Sequence, residues 1–404
     1  MTRGAASDTT RAPSPWFMLV VGMVAQIAGT IAANAPLFLI PYLYLEQGLT
    51  LTQAGLIAAT PAVGTTISLV PWGILVDRLG ERLAMTLGLA GVTAGALAAG
   101  LVDGYVALGA CFFVTGLFAG STNSASGRLV VGWFPAHRRG TAMGIRQTGL
   151  PLGVGATALL VPPLASAEGI GVTMLVVAGI AAVATTGCAL LVVDPPRPDR
   201  VEAASTGQLD NPYRRDTRLV RIHLASTLLV VPQFTVWGFM LVWLIETKDL
   251  SAGAAGGLVA ASQLVGGAAR IGVGWWSDHV GSRLRPMRQV AVAAALVMLL
   301  LGVVESTWVA IVVIVVATGV TVADNGLAFT AVAEIGGPYW AGKAMGWQNT
   351  GQYLVSAAVP PVVGLLVTGY GYAWTFAAVA VLPLLAIPLI PRDPAPTALA
   401  SERT

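Results

Sequence analysis

Long apolar runs recur along the whole chain, each ended by a short polar or glycine-containing break. They fall near 16–44, 52–76, 84–102, 105–132, 140–165 and 170–193, and again near 219–245, 252–276, 288–304, 307–334, 342–368 and 372–391. Runs of roughly 20 residues cross a bilayer as helices, because a helix satisfies every backbone N–H and C=O within one segment. The period-two alternation of a barrel strand is absent. The pattern predicts an all-α integral membrane protein with twelve transmembrane helices in two six-helix, pseudo-symmetric halves. These are residues 16–193 and 219–392, flanked by tails at 1–15 and 393–404. The first run, Trp16 to Leu45, is too long for the roughly 7–15-residue core of a signal peptide, so it is read as a span that stays in the protein.

Between the two sets lies 194–218, with Pro195, Pro196, Pro198 and Pro212 among many charges. Its composition predicts a flexible, solvated linker.

Composition agrees with the runs. Of 404 residues, 55% are hydrophobic and 10% charged, with a mean hydropathy of +0.77. A soluble domain carries about 25% charged residues. The net charge of +3 is spread over short loops, which does not make a nucleic-acid surface. Cys111 and Cys188 lie far apart inside apolar runs, so neither a disulfide nor a metal site is expected. The distribution of Lys and Arg sets the orientation. With the N-terminus inside, the inner segments collect Arg78, Arg82, Arg138, Arg139, Arg197, Arg214, Arg215, Arg283, Arg285, Arg288 and Lys343, whereas the outer loops hold only Lys248. Both termini are therefore expected to be cytoplasmic.

The halves are copies of one another. Gly73-Ile-Leu-Val-Asp77-Arg78-Leu-Gly80-Glu81-Arg82 recurs as Gly274-Trp-Trp-Ser-Asp278-His279-Val-Gly281-Ser-Arg283, since 274 − 73 and 278 − 77 both equal 201. Gly140-Thr-Ala-Met-Gly recurs as Gly342-Lys-Ala-Met-Gly, and Asn123 falls opposite Asn325, both at 342 − 140 = 202. Repeats in the same orientation imply an axis along the membrane normal.

This G-x-x-x-D-R/H-x-G-x-R loop, placed between the second and third spans of each half, resembles the signature of the major facilitator superfamily of secondary transporters. The resemblance covers nearly all of the chain from Trp16 to Arg392. It implies alternating access by rocking of the halves, with Gly73, Asp77, Arg78, Gly80, Arg82, Gly274, Asp278, Gly281 and Arg283 as a gating motif. It also implies that Asp77 faces the start of span eleven and Asp278 the start of span five. There each carboxylate meets the free N–H groups and positive dipole end of a helix. The bland alternative is a positively charged inner loop.

Ionisable residues inside spans are costly and normally face a cavity or a partner. Arg270 lies one turn before Gly274, and an arginine there resembles those of monocarboxylate and oxalate carriers that contact the substrate carboxylate. Bracing of the loop is the alternative. Arg146 opens Arg146-Gln147-Thr148-Gly149-Leu-Pro151 and is read either as a substrate contact or as one half of a pair near the cytoplasmic gate. Asp324 is a proton-coupling candidate or one half of a fixed ion pair. Arg128 and Glu334 sit near span ends, where snorkelling or a structural ion pair is expected.

Softer candidates for substrate contact are Asn34, Gln147, Gln233, Trp237, Gln348 and Tyr353, with Gln26, Gln263, Asn349 and Gln352 beside them. Pro36, Pro151 and Pro232 are expected to disturb their helices. The single Gly-Lys pair, Gly342-Lys343, is followed by Ala344, so the ATP-binding loop pattern is absent.

The leading expectation is a secondary transporter in the inner (plasma) membrane. Its partners would be the lipid bilayer and a small organic anion, a mono- or dicarboxylate, with protons or exchange as the driving gradient and no cofactor, metal or nucleic acid. An exporter of lipophilic drugs is the first rival, because Gly149, Pro151, Gly153 and Gly155 resemble in part the Gly-Pro motif of drug/proton antiporters. A membrane sensor that binds without transport is the second. No catalytic cluster points to an enzyme.

Overall fold

The computed structural model describes residues 13–393. The expected tails, 1–15 and 393–404, lie outside the described residues except for 13–15 and 393. Among the described residues there is helix and no strand.

Twelve spans follow in order. They are α1 (Pro15–Leu45), α2 (Leu51–Leu79), α3 (Glu81–Leu101) and α4 (Tyr105–Trp133), then a continuous stretch Ala136–Leu191. That stretch divides at Gly169, whose φ is 79°, into α5 (136–168) and α6 (170–191). The second half has α7 (Arg218–Glu246), α8 (Ala252–Val280) and α9 (Leu284–Val304). Its last stretch, Val309–Leu389, turns at Gly337 (φ 66°) and Gly371 (φ 79°) into α10 (309–336), α11 (338–370) and α12 (372–389). The left-handed conformation that glycine adopts freely lets one span reverse into the next with no loop.

The repeat extends to the helix caps. Thr50 accepts the Gln53 N–H and caps α2, and Ser251 accepts the Ala254 N–H and caps α8, again 251 − 50 = 201 residues apart.

Prolines act unequally. Pro151 has no N–H for the Gln147 carbonyl, and α5 is broken at Gln147–Thr148, directly after Arg146. In α1 the helix runs through Pro36 to Phe38 and breaks at Leu39, before Pro41. Pro232 leaves α7 continuous from Arg218 to Glu246, which differs from the expected irregularity. Membrane helices tolerate such a proline where neighbouring groups satisfy the freed carbonyl.

Packing shows where the halves meet. One buried cluster draws on both, with Leu19, Phe134 and Met143 from the first half and Ile222, Met287, Leu327 and Met345 from the second. It lies towards the face that carries the inter-half linker. Towards the opposite face the clusters each belong to one half, around Leu39, Phe112 and Met174 or around Trp243, Met298 and Phe376. The bundle is thus joined at the linker face.

The linker is ordered, in contrast to the flexible segment its composition predicts. It contains short helices at Arg200–Ser205 and Pro212–Arg215, and Ala203 is fully buried. Arg197 donates to the Asp77 and Val76 carbonyls at the end of α2 and to the Glu81 carboxylate at 2.8 Å. The next residue, Pro198, accepts the Tyr339 hydroxyl through its carbonyl at 2.5 Å, and Leu209 accepts the Trp340 indole N–H at 3.1 Å. These partners sit more than a hundred residues away, and local composition carries no trace of them.

Candidate functional site

Two arrangements stand out: crossed latches at the linker face and charged residues buried above them. In the first latch, Asp77 Oδ1 accepts the Gly342 N–H at 2.8 Å and Oδ2 accepts the Lys343 N–H at 2.9 Å. In the second, Asp278 accepts the Gly140 N–H at 2.9 Å, the Thr141 N–H at 2.8 Å and the Thr141 hydroxyl at 2.7 Å. Each carboxylate therefore binds unpaired N–H groups in the first turns of a helix belonging to the other half. The backbones touch at these points. A Cβ on Gly73 would lie 2.3 Å from the Gly342 carbonyl oxygen, and one on Gly274 would lie 2.2 Å from that of Gly140. Only glycine permits this approach.

The cations that complete the latches are not equivalent. Arg283 donates to Asp278 at 2.6 Å, to Ser277 at 2.7 Å and to the Ala136 carbonyl, and reaches Glu334 at 3.4 Å. Its counterpart by the repeat, Arg82, instead bonds the Ala189 carbonyl at 2.8 Å within its own half, and Arg78 is exposed. The place beside Asp77 is taken by Arg128 of α4. It pairs with Asp77 at 3.0 Å and Glu81 at 2.7 Å and donates to the Pro338 carbonyl at 2.7 Å. Arg128 is thus a buried inter-half brace rather than a snorkelling side chain. Glu81 is fully buried and had given no sign of its role, because Ser282 occupies its repeat position.

Two further arginines are buried above the latches, in contrasting surroundings. Arg146 is held by neutral acceptors: Ser126 Oγ at 2.9 Å, Gln147 Oε1 at 2.6 Å and the Asn123 carbonyl at 2.6 Å. Arg270 is 3% exposed, yet its Nε and Nη1 have no hydrogen-bond partner, and among the described residues no carboxylate pairs with it within 4.0 Å. Its guanidinium lies over the Trp237 ring, 5.8 Å from the centroid, and the Trp237 Nε1 is likewise without a partner. Asp324 is 2% exposed and its Oδ2 accepts nothing.

The amides divide by half. Gln26 donates to Asn123 at 3.2 Å and accepts from Ser126 at 3.1 Å, joining α1 to α4. Asn325 donates to Gln233 at 2.8 Å and accepts from Gln352 at 3.2 Å, joining α10 to α7 and α11. Asn34 is turned onto the Thr30 carbonyl of its own helix at 2.9 Å, and Gln147 is engaged by Arg146. Gln348 Oε1 meets the His223 ring at 2.5 Å, and the other ring nitrogen meets the Tyr213 hydroxyl of the linker at 2.9 Å. The Gln348 amide nitrogen has no partner, and Tyr353 is half-buried on α11. Among the described residues no group of His, Cys, Asp and Glu is arranged to hold a metal ion.

Twelve helices in two parallel repeats, locked together at one face beneath buried polar groups, have the architecture of a secondary transporter. The chain belongs to the major facilitator superfamily, whose family model matches residues 18–360. It is 43% identical over 386 residues to an uncharacterised MFS-type transporter of Mycobacterium tuberculosis, covering 95% of this chain and 86% of the relative. A shorter stretch of 117 residues is 29% identical to the D-galactonate transporter of Escherichia coli, covering 29% of this chain and 27% of the relative. The fold is similar to that of the human organic anion transporter MFSD10, with a TM-score of 0.75 at 17% identity over 94% of this chain and all of that one.

Proposed function

We propose that this transporter moves a small monovalent organic anion, a monocarboxylate, held at Arg270 while the two halves rock about it. The observation that carries the reading is the buried Arg270 guanidinium with two donor nitrogens free. An unpaired buried cation is expensive, and an arriving carboxylate offsets that cost with charge-assisted bonds. The charges support one negative charge on the substrate. Arg128, Arg197, Asp77 and Glu81 cancel at one latch, as Arg283 and Asp278 do at the other. Above them Arg270, Arg146 and Asp324 sum to +1 with Asp324 ionised. Arg146 has its acceptors already, so it supplies background charge rather than a second carboxylate seat. D-galactonate, named for the Escherichia coli relative, is itself a monocarboxylate.

The linker face is assigned to the cytoplasm, in the plasma membrane, because it collects Arg78, Arg82, Arg138, Arg139, Arg197 and Arg283, while Lys248 lies at the opposite face. The state described here is then closed inwards. The glycines and proline behind the drug-exporter reading, Gly149, Pro151, Gly153 and Gly155, follow the helix break at Gln147–Thr148, which gives them a part in bending α5.

The test is thermal stabilisation of purified protein by monocarboxylates, dicarboxylates, sugars and cationic drugs, since a bound ligand raises apparent stability by mass action. Monocarboxylates are expected to stabilise selectively. Arg270→Lys keeps the charge but loses the planar fork, so affinity should fall roughly ten- to a hundredfold, about 1.5–3 kcal/mol. Stabilisation by a neutral or cationic compound, or unchanged anion affinity in Arg270→Lys, overturns the reading.

A further inference from the structure

Asp324 takes no part in anion capture as described, yet it lies at the same level as the guanidinium that does. A Cβ placed on Gly266 would sit 3.7 Å from Arg270 Nη1 and 3.5 Å from Val322 Cγ2. Gly266 therefore sits between the tip of Arg270 and the turn of α10 that leads into Asp324. That turn is tightened, with the Ala323 N–H bonding the Val320 carbonyl at 3.3 Å, and Asp324 begins the next helical segment. Its neighbour Asn325 is tied to Gln233 and Gln352, which fixes this part of α10. The carboxylate is 2% exposed, with Oδ2 lacking any donor.

The unmatched groups form a short pattern. Apart from Gln348 Nε2 on α11, three are donors: Arg270 Nε, Arg270 Nη1 and Trp237 Nε1. One is an acceptor, Asp324 Oδ2. Buried polar groups without partners are costly, so the best-matched ligand presents a carboxylate to the donors and an N–H or O–H to the acceptor. Charge separates the two donor types. With Asp324 ionised, an amino-acid zwitterion brings no net charge and leaves the interior at +1, whereas a hydroxy acid brings the single negative charge that balances it.

We infer that the substrate is a hydroxycarboxylate, its carboxylate on Arg270 and a nearby hydroxyl donating to Asp324. Asp324 is then the residue that distinguishes hydroxy acids from plain fatty acids of the same length. The inference rests on the anion reading of Arg270 and narrows it. It also gives the carboxylate a reason to stay ionised beside an anionic substrate, because a hydroxyl donor stabilises the charged form.

The experiment compares matched acids on the purified full-length protein by thermal stabilisation: lactate against propanoate, gluconate against hexanoate, and alanine as the zwitterion. The hydroxy member of at least one pair should bind about tenfold more tightly than its deoxy partner, the value of one hydrogen bond to a charged group. Asp324→Leu should bring the two members of that pair to equal affinity, and Asp324→Asn, which keeps an acceptor, should retain part of the preference. The comparison within each pair on wild type stands even where a variant fails to fold. Equal binding of both members overturns the inference while leaving the anion reading in place. Binding of neither acid, with a neutral or cationic compound bound instead, overturns both. Preference for alanine overturns the hydroxyl. So does deoxy-acid binding that follows pH in wild type but not in Asp324→Asn, because Asp324 would then carry a proton.

Discussion

Asp77 and Asp278, 201 residues apart, each bind the first N–H groups of a helix in the other half of the bundle. The relationship is reciprocal, so the closed face is held twice by the same chemistry. An asparagine has one acceptor oxygen where the carboxylate has two, and it carries no charge for the helix dipole. Asp77→Asn should shift the population away from linker-face closure by about 1–2 kcal/mol, roughly five- to thirtyfold. Pulsed spin-label distances between the ends of α2 and α11 are expected to broaden towards longer values. Unchanged distributions with intact transport would leave the aspartate as an ordinary loop residue.

Arg128 should prove the more important of the two latch cations for stability. Its removal takes a cation from two buried carboxylates at once, Asp77 and Glu81, and leaves Arg197 on Glu81 as the remaining ion pair. Breaking such a pair costs about 3–5 kcal/mol, so Arg128→Met should lower the unfolding temperature strongly. Arg283→Met should cost less, because it deprives one buried carboxylate, Asp278, which keeps the Thr141 hydroxyl beside its two N–H donors, while the more exposed Glu334 keeps Arg139. Thermal unfolding of both variants in the same detergent decides the order.

Arg146 is expected to behave unlike Arg270. Its bonds to Ser126, Gln147 and Asn123 join α5 to α4. Arg146→Lys should lose the fork that spans these three acceptors and unfold at lower temperature, by about 1–3 kcal/mol, while keeping its anion affinity. A large affinity loss without loss of stability would move Arg146 into the substrate site.

Orientation has a direct measurement. Ser205 in the linker and Ser251 at the opposite face are both exposed. Cysteines placed there should react with impermeant reagents from opposite sides of the membrane, Ser251→Cys from outside intact cells. Labelling of both from outside would contradict the assignment of the linker face to the cytoplasm.

Much of this architecture is written locally. Each span is an apolar run, and the joins at Gly169 and Gly371 fall where those runs pause. The latch aspartates were legible because the loop is duplicated, and duplication marks its members in register. The structural ion pair expected as one reading of Arg128 is present, but its place in the latch and the role of Glu81 carried no such mark, since their repeat positions hold Thr330 and Ser282. Nor does the sequence separate Arg270 from Arg146. Both are arginines within spans, and what distinguishes them is whether distant polar groups, such as Ser126 and the Asn123 carbonyl, arrive beside them. The linker misled because charge and proline describe its solubility, while its order comes from Glu81, Tyr339 and Trp340.

That linker has a mechanical consequence. Arg197 grips the end of α2, and Pro198, its covalent neighbour, is gripped from the turn between α10 and α11. Adjacent Cα atoms stay about 3.8 Å apart whatever the protein does, so a parting of the halves at this face would load both grips through the one bond between them. Severing the backbone between Arg197 and Pro198 should relieve that tension, whereas a nick at Ser205, downstream of both grips, should leave it in place. A single peptide bond thus acts as the tether against which any opening of the linker face has to pull.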